Sequence, residues 1–304
     1  MTGLTRGLII LGSMSAVAAV PALAQDLEPR AFANAPVGLN FLIGGYAYAE
    51  GTVGTDPAVP LEDTKVEQHT AALAYVRTLG LWGRSGKVDV ILPYGWASGS
   101  TRFAGEEKRR DVDGLGDPRF RLSALLLGGP ALTLEEFRDF KPDWIVGVSF
   151  ETTVPLGQYD SDKLLNIGTN RWSFKPELGI SKTIERFTLE LTTGARFYTE
   201  NDDFFGGKNL ALSPLYSVQT HVIYTFTPGL WLGFDGLYYA GARPTINGRK
   251  GESVENARVG LTFTVPVNRY NAVKVYGSTG VYSKTGTDFD IVGINWQFRW
   301  GAGL

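Results

Sequence analysis

The sequence of 304 residues contains 38 glycines and no cysteine, and its formal net charge is only −2. The lack of cysteine excludes disulfides and thiolate metal ligands, and the scattered charges exclude the basic stripe that a phosphate backbone demands. We therefore expect no nucleic-acid partner. We also expect no cofactor, because the sequence has no glycine loop of the kind that cradles phosphates.

The first segment, residues 1–24, has the pattern of a secretory signal peptide. A short apolar run over residues 7–20 follows an arginine, and Ala22 and Ala24 form a small-residue cleavage site. A membrane anchor is the alternative, but the run is shorter than the roughly 20 residues that a membrane helix needs. The sequence therefore predicts export, cleavage after Ala24 and a single mature domain at residues 25–304.

Beyond this segment, apolar and polar residues alternate with a period of two, which is typical of β-strands with one apolar face. Twelve such segments follow in chain order: residues 38–50, 68–78, 87–97, 116–127, 143–155, 172–183, 187–200, 215–226, 230–242, 256–265, 272–282 and 288–300. Each is close to the roughly 9 to 11 residues that a tilted strand needs to cross a membrane.

The last of these segments has the strictest alternation. One face is apolar and mostly aromatic, and the other holds two amides and a cation: Ile294, Trp296, Phe298 and Trp300 against Asn295, Gln297 and Arg299. A soluble sandwich would bury the apolar face in protein. Aromatic residues on such a face instead favour a lipid interface.

The gaps between the segments alternate in length. Four of the five even-numbered gaps are tight turns, whereas the odd-numbered gaps are mostly longer, as in barrels with short periplasmic turns and longer outside loops. The exception is residues 128–142, which predict a short helix or plug-like turn on the periplasmic side. The fold prediction is an all-β, 12-stranded antiparallel transmembrane β-barrel.

The polar faces of the strands would then line the lumen. We select eleven residues there as candidates for lumen selectivity: Asp117, Arg119, Arg121, Glu151, Lys175, Glu177, Arg196, His221, Asp235, Arg258 and Lys274. Rings of such charges set selectivity in channels. The alternative is that they face inward only because a charge on the lipid face costs roughly 2–4 kcal/mol. Arg119 and Arg121 beside Glu151 predict a cross-strand network that plugs the lumen or binds a polar substrate group.

Two outside loops are further candidates, residues 159–170 and 201–209. In the second, Asp202 and Asp203 suggest a cation site and the next two phenylalanines a hydrophobic contact, although flexible loops often have this composition. An outer-membrane hydrolase is the enzymatic alternative. His221 has no serine or aspartate spaced as a sequence-marked partner, so we expect a satisfied lumen histidine and no enzyme.

Several motifs resemble those of the outer-membrane transporters grouped with the "MetA-pathway of phenol degradation" proteins. They are GLGDP at residues 114–118, VPLGQY at 154–159, NRWSFKPELG at 170–179 and the aromatic C-terminus. The resemblance spans nearly the whole mature chain. It implies a channel or transporter in the outer membrane for small molecules, aromatic or hydrophobic compounds among them.

The expected partners are outer-membrane lipid, a small-molecule substrate and the barrel-insertion machinery. Gly293, Trp296 and Phe298 resemble the C-terminal signal that this machinery reads, although the chain runs past the aromatics to Leu304. A non-conducting structural barrel remains the main alternative to a channel.

Overall fold

The computed structural model describes residues 27–53, 61–103, 106–285 and 287–304, so the predicted signal peptide lies outside the described residues. The strands are β1 Leu39–Val53, β2 Leu61–Leu81, β3 Arg84–Phe103, β4 Glu106–Leu115, β5 Arg119–Leu127, β6 Trp144–Thr153, β7 Ser173–Ile184, β8 Phe187–Tyr198, β9 Asn201–Phe204, β10 Lys208–Leu212, β11 Leu215–Thr227, β12 Leu230–Gly241, β13 Pro244–Ile246, β14 Arg249–Lys250, β15 Val254–Pro266, β16 Asn271–Thr285 and β17 Thr287–Gly301. The helix α1 spans Leu134–Phe137. In the described part of the chain, no helix is long and apolar enough to cross a membrane.

The strands form a closed antiparallel barrel. The first strand, β1, pairs with β2 on one side and with β17 on the other, in a register that runs from Leu39 opposite Gly301 to Val53 opposite Thr287. Both β4 and β5 pair with β3 and together occupy one position in the wall. The described wall therefore has 12 strand positions, and the predicted fold class is confirmed.

The two faces of the wall differ as the alternation predicts. Outward side chains such as Leu73, Phe234 and Trp296 are 50%, 56% and 60% exposed, while the inward His221 and Asp235 are 2% and 0% exposed. An apolar outer surface of this extent requires a hydrocarbon solvent. The inner surface is polar, so the barrel encloses a hydrophilic lumen.

At the end of the barrel where β1 begins, the connections between strands include very short turns. Strands β2 and β3 join through Trp82 and Gly83, which have φ of 49° and 76°. Positive φ at both central residues is the geometry of a type I′ hairpin turn, and glycine adopts it without steric cost. By the rule that periplasmic turns are short, this end is periplasmic and the opposite end is extracellular.

Strands extend into several of the predicted outside loops, most fully at residues 98–115. Within this range, residues 98–103 are the upper part of β3 and residues 106–115 are the whole of β4, because the hairpin continues past the apolar belt. Its sequence there is charged on both faces, as in Glu107 to Asp111, so it does not alternate as a membrane strand does. The same effect extends β1 and β2 into the predicted loop at residues 51–67.

The segment at residues 128–142 contains the predicted short helix. Thr133 caps α1 by accepting a hydrogen bond from the backbone N–H of Glu136, and the Glu136 carboxylate accepts one from the backbone N–H of Thr133 at 2.8 Å. This reciprocal pair is a capping box. Hydrogen bonds from the Thr133 backbone and then its hydroxyl hold the pKa of Glu136 below its usual value.

Candidate functional site

All the predicted selectivity residues lie in the lumen wall except Asp117, which lies between β4 and β5 at the break in the wall. Eight are buried: Asp117, Arg119, Glu151, Glu177, Arg196, His221, Asp235 and Arg258. The other three, Arg121, Lys175 and Lys274, are partly exposed. The lumen contains a cavity of about 460 Å³, whose lining includes Lys87, Asp89, Arg119, Arg121 and Lys274.

A feature that the strand pattern did not predict is an N-terminal segment, residues 27–37, inside the periplasmic half of the barrel. The backbone N–H of Glu28 donates to Gln219 Oε1 on β11 at 3.1 Å, and that of Arg30 donates to Glu190 Oε2 on β8 at 2.7 Å. Lys87 on β3 donates to the carbonyl of Ala31. The segment thus contacts widely separated parts of the wall and narrows the lumen.

Phe32 fixes this segment to the wall through a slot made by two glycines. Gly147 on β6 and Gly179 on β7 are direct partners in the register. A Cβ atom at either position would overlap the Phe32 ring. Phe32 also packs with the buried Leu125 and Ile145. The two strands therefore lack side chains at the place where the aromatic ring needs the space.

Ion pairs also hold the N-terminal segment against the barrel wall. Glu28 forms an ion pair with Arg121, whose Nε also donates to Asp89 Oδ2 at 2.6 Å. Burial raises the pKa of Glu28, but Arg121, Lys175 and Arg119 lower it by more, so the net shift is downward. Because its pKa is lowered, the Glu28 carboxylate stabilises the docked segment at pH values above the pKa that it has in the unfolded chain. This stabilisation is lost as the pH falls through the pKa that it has in the folded protein. The pair therefore persists at a pH where an ordinary glutamate is half protonated.

The guanidinium of Arg30 also makes specific contacts. Arg30 Nη2 donates to Thr225 Oγ1 at 2.7 Å, and its Cζ lies 5.1 Å from the ring centroid of Trp231. A cation over an indole face is attracted by the ring quadrupole. The segment is thus held by an aromatic slot, an ion pair and a cation–π contact.

The predicted network of Arg119, Arg121 and Glu151 forms only in part. Glu151 is 1% exposed, and its carboxylate lies 2.9 Å from Arg196 Nη2 and 3.9 Å from Arg119 Nη1. Arg121 is opposite Glu151 in the register, yet it pairs with Asp89 and Glu28 instead. One carboxylate therefore serves two guanidiniums, and Arg196 takes the role that the sequence assigned to Arg121.

Two further polar clusters lie on the wall. Lys175 Nζ is 2.9 Å from Glu177 Oε1, and the other oxygen of Glu177 accepts from Ser149. On the opposite side, His221 Nδ1 is 2.7 Å from Asp235 Oδ1, and Asp235 Oδ2 accepts from Thr262 Oγ1 at 2.7 Å. His221 Nε2 has no hydrogen-bond partner among the described residues. The expectation of a satisfied histidine holds for one ring nitrogen only.

Arg258 and Lys274 lie apart from these groups. Arg258 donates to the carbonyl of Phe289 and to Ser278 Oγ on the extracellular side of the wall. The ammonium of Lys274 lies 5.7 Å from the ring centroid of Tyr276, beside the lumen cavity. The structure therefore distributes the predicted site residues over separate clusters instead of one ring.

The candidate loop at residues 159–170 belongs to a connection, residues 154–172, that folds into the extracellular half of the lumen. Leu165 packs against the buried cluster of Ala49, Val66 and Phe289, and Ile167 lies against Gly95. We call this connection the inward loop. It narrows the lumen from the outside, opposite the N-terminal segment.

Asp117 anchors the inward loop. Its carboxylate accepts hydrogen bonds from the backbone N–H of Gly157 at 2.9 Å, the backbone N–H of Thr169 at 2.8 Å and the Thr169 hydroxyl at 2.7 Å. A carboxylate with three such donors is well satisfied. Asp117 therefore positions the loop, a task that the sequence pattern did not assign to it.

The second candidate loop, residues 201–209, forms strand β9 and the start of β10. Asp202 and Asp203 are exposed, while Phe204 is buried at 5%. Among the described residues, no group of three histidine, aspartate or glutamate side chains could hold a metal ion. Because Phe204 is buried and only Phe205 is partly exposed, the two phenylalanines do not present a joint hydrophobic surface.

Sequence reasoning missed several lumen residues. Glu28 and Arg30 precede the first strand, where no periodicity marks a face, and Arg171 ends a loop. Lys87 and Asp89 lie on the polar face that the alternation predicts for their strand, but neither was among the eleven selected residues. A rule that selects every charge on a lumen face would have included both.

The closed barrel, its apolar exterior and its charged lumen define an outer-membrane β-barrel. The chain belongs to the family described as the MetA-pathway of phenol degradation, whose model matches residues 47–290. This match confirms the resemblance found in the sequence.

Solved structures show the same fold. The COG4313 outer membrane channel from Pseudomonas putida F1 is 18% identical, with a TM-score of 0.75 over 90% of this chain and 100% of that chain. The transport unit of the autotransporter AIDA-I from Escherichia coli is 8% identical, with a TM-score of 0.53 over 90% and 92%. The translocator domain of autotransporter NalP from Neisseria meningitidis is 8% identical, with a TM-score of 0.52 over 87% and 90%. No curated protein matched the sequence.

Proposed function

We propose that this protein is an outer-membrane channel through which small molecules diffuse or are guided across the membrane. The observation that carries the proposal is the lumen cavity of about 460 Å³, which is lined in part by charged side chains and lies within a wall that has an apolar exterior. Side chains fill the interior of barrels of about eight strands, whereas the wider wall of 12 strand positions here leaves open space. Charges of both signs line the cavity, with the cations in excess, which suits a path of mixed charge: Arg30, Lys87, Arg119, Arg121 and Lys274 against Glu28 and Asp89.

The substrate class follows from the family. Its description names a pathway of phenol degradation, so aromatic or hydrophobic small molecules are the proposed cargo. The N-terminal segment and the inward loop narrow the path from opposite ends. Passage of such a molecule therefore requires that it fit beside them or displace them.

An enzymatic role is the weaker alternative. The pair of His221 and Asp235 has the spacing of a histidine and its orienting carboxylate in a hydrolase. A hydrolase also needs a nucleophile beside the other ring nitrogen, and His221 Nε2 has no hydrogen-bond partner in the described part of the chain. We propose that the protein is not an enzyme.

Single-channel recording in planar lipid bilayers tests the channel function. We expect the refolded protein to give stable conductance steps and to be partly blocked by small aromatic acids added to either side. Bilayers that stay silent with protein whose folding is verified by heat-modifiable gel migration would contradict an open channel. They would favour a structural barrel instead.

We also propose that the chain reaches the membrane as a cleaved precursor inserted by the barrel-insertion machinery. The small-residue site that ends at Ala24 and the aromatic C-terminal strand support this route. The intact mass of protein purified from outer membranes should correspond to a chain that begins at Gln25. A mass that includes residues 1–24 would refute cleavage.

A further inference from the structure

A second, smaller cavity lies between the inward loop and the barrel wall, beside the main lumen cavity, with which it shares Thr70 and Arg119. It has a volume of about 60 Å³ and is lined by residues of β2, β3, β5, β6, β7 and β8 together with the loop. This volume is several times what one water molecule needs. The cavity is therefore large enough to receive part of a small organic molecule.

Three guanidiniums line this cavity, those of Arg119, Arg171 and Arg196. The carboxylate of Glu151 serves both Arg119 and Arg196. The other nearby carboxylate, Asp117, is occupied by the three donors of the inward loop. The cavity thus has one more positive than negative charge, and the two carboxylates are already engaged.

Arg119 and Arg196 both form an ion pair with Glu151, whereas Arg171 has no ion-paired carboxylate among the described residues. It is only 6% exposed, and its Nη1 has no hydrogen-bond partner among the described residues. Its Cζ lies 5.3 Å from the ring centroid of Tyr198, and burial lowers the pKa of Arg171. A buried guanidinium with an unused donor is costly unless an anion completes it.

The remaining walls of the cavity have a different character. Pro93, Ile167 and the ring of Tyr198 contribute apolar surface beside the arginines. A ligand that is anionic at one end and apolar at the other would satisfy both parts. A carboxylate matches the planar fork of a guanidinium with two parallel hydrogen bonds, which neither a neutral group nor a spherical ion can do.

We propose that this cavity binds a small organic carboxylate. Arg171 would bind the carboxylate group, and the apolar wall would contact the rest of the molecule. The proposal rests on the proposed function and deepens it by naming a substrate class. Bound there, a carboxylate would lie under the inward loop, on the extracellular side of the lumen. The cavity is then a first docking site for cargo that enters from outside.

Isothermal titration calorimetry of the full mature barrel in detergent tests the proposal, with benzoate as the probe and its neutral analogue benzamide as the comparison. We expect benzoate to bind and benzamide to bind at least about tenfold more weakly, because only the anion completes the guanidinium. Equal binding of the two would overturn the proposal without the need for any variant. Tighter binding of inorganic phosphate than of benzoate would overturn the assignment to carboxylates.

Substitution then locates the site. Arg171→Gln should weaken benzoate binding at least about tenfold, since it removes a charge-assisted pair. Arg249→Gln removes an equal charge from an exposed position on β14 and should leave binding unchanged. Unchanged binding in a folded Arg171→Gln barrel would overturn the proposal. Conductance in bilayers is recorded on the same preparations. An unsubstituted barrel that conducts but does not bind benzoate refutes the site and leaves the channel function standing.

Discussion

Deletion of residues 27–35 should raise the single-channel conductance of the barrel by roughly twofold or more, because conductance follows the open cross-section of the narrowest part. These residues lie inside the periplasmic half of the lumen and bond to strands on several sides of the wall. Their removal leaves the paired wall intact. The measurement is single-channel recording of the deletion variant against the full mature barrel in the same lipid.

A point substitution tests the same idea without shortening the chain. Gly179→Ala places a methyl group where the Phe32 ring lies, so it should release the N-terminal segment and move conductance in the same direction. Such overpacking costs typically about 1–3 kcal/mol. The added Phe32→Ala substitution should relieve the clash, and a gain in stability of the double variant over Gly179→Ala would verify the slot.

Gly44→Ala is the matched control for this substitution. Gly44 faces outward, and a Cβ there meets nothing within 4 Å. Its conductance and stability should equal those of the unchanged barrel. If the deletion and Gly179→Ala both leave conductance unchanged, the N-terminal segment does not form the restriction, and the inward loop becomes the main candidate.

The second large effect is expected from Glu151→Gln. This substitution removes the one carboxylate that pairs with both Arg119 and Arg196, at a position that is 1% exposed. Two guanidiniums then lose their counter-charge, and breaking a buried pair in this way costs about 3–5 kcal/mol. The free energy of unfolding, measured by urea titration of tryptophan fluorescence, should fall by that amount.

The same variant should change selectivity. Loss of a negative charge beside Arg119 and Arg196 makes the lumen more attractive to anions, so the reversal potential across a salt gradient should shift towards anion selectivity. Glu107→Gln is the matched control, because Glu107 is exposed on β4 and its loss should change stability by less than about 0.5 kcal/mol. Equal stability and equal reversal potential in both variants would mean that the Glu151 cluster neither stabilises nor selects.

The strand pattern predicted the wall well where lipid constrains it. In the last strand, Trp296 and Phe298 face outward and Asn295 and Gln297 line the lumen cavity, as the alternation requires. The prediction failed for the parts of the strands that extend beyond the membrane, where water surrounds both faces. The β3 and β4 extensions have polar residues on both faces, so nothing in their pattern separated strand from loop.

Partner choice among the lumen charges was less predictable. The alternation placed Arg121 and Glu151 on the same face, and the register even sets them opposite each other. The side chain of Arg121 nevertheless turns to Asp89 and to Glu28, a residue outside the wall. A long flexible side chain reaches several partners, and its choice depends on strands and segments distant in the sequence.

The sequence by itself determined the barrel, the number of wall positions and the inward face of each strand, because lipid on one side and water on the other impose a period of two. Only the tertiary structure decided what fills the lumen. The N-terminal segment and the inward loop have no alternation of apolar and polar residues. The position of the N-terminal segment depends on the glycine slot at Gly147 and Gly179, and that of the inward loop on the three hydrogen bonds that Asp117 accepts. Those contacts join residues far apart in the chain, and they exist only once the barrel has closed.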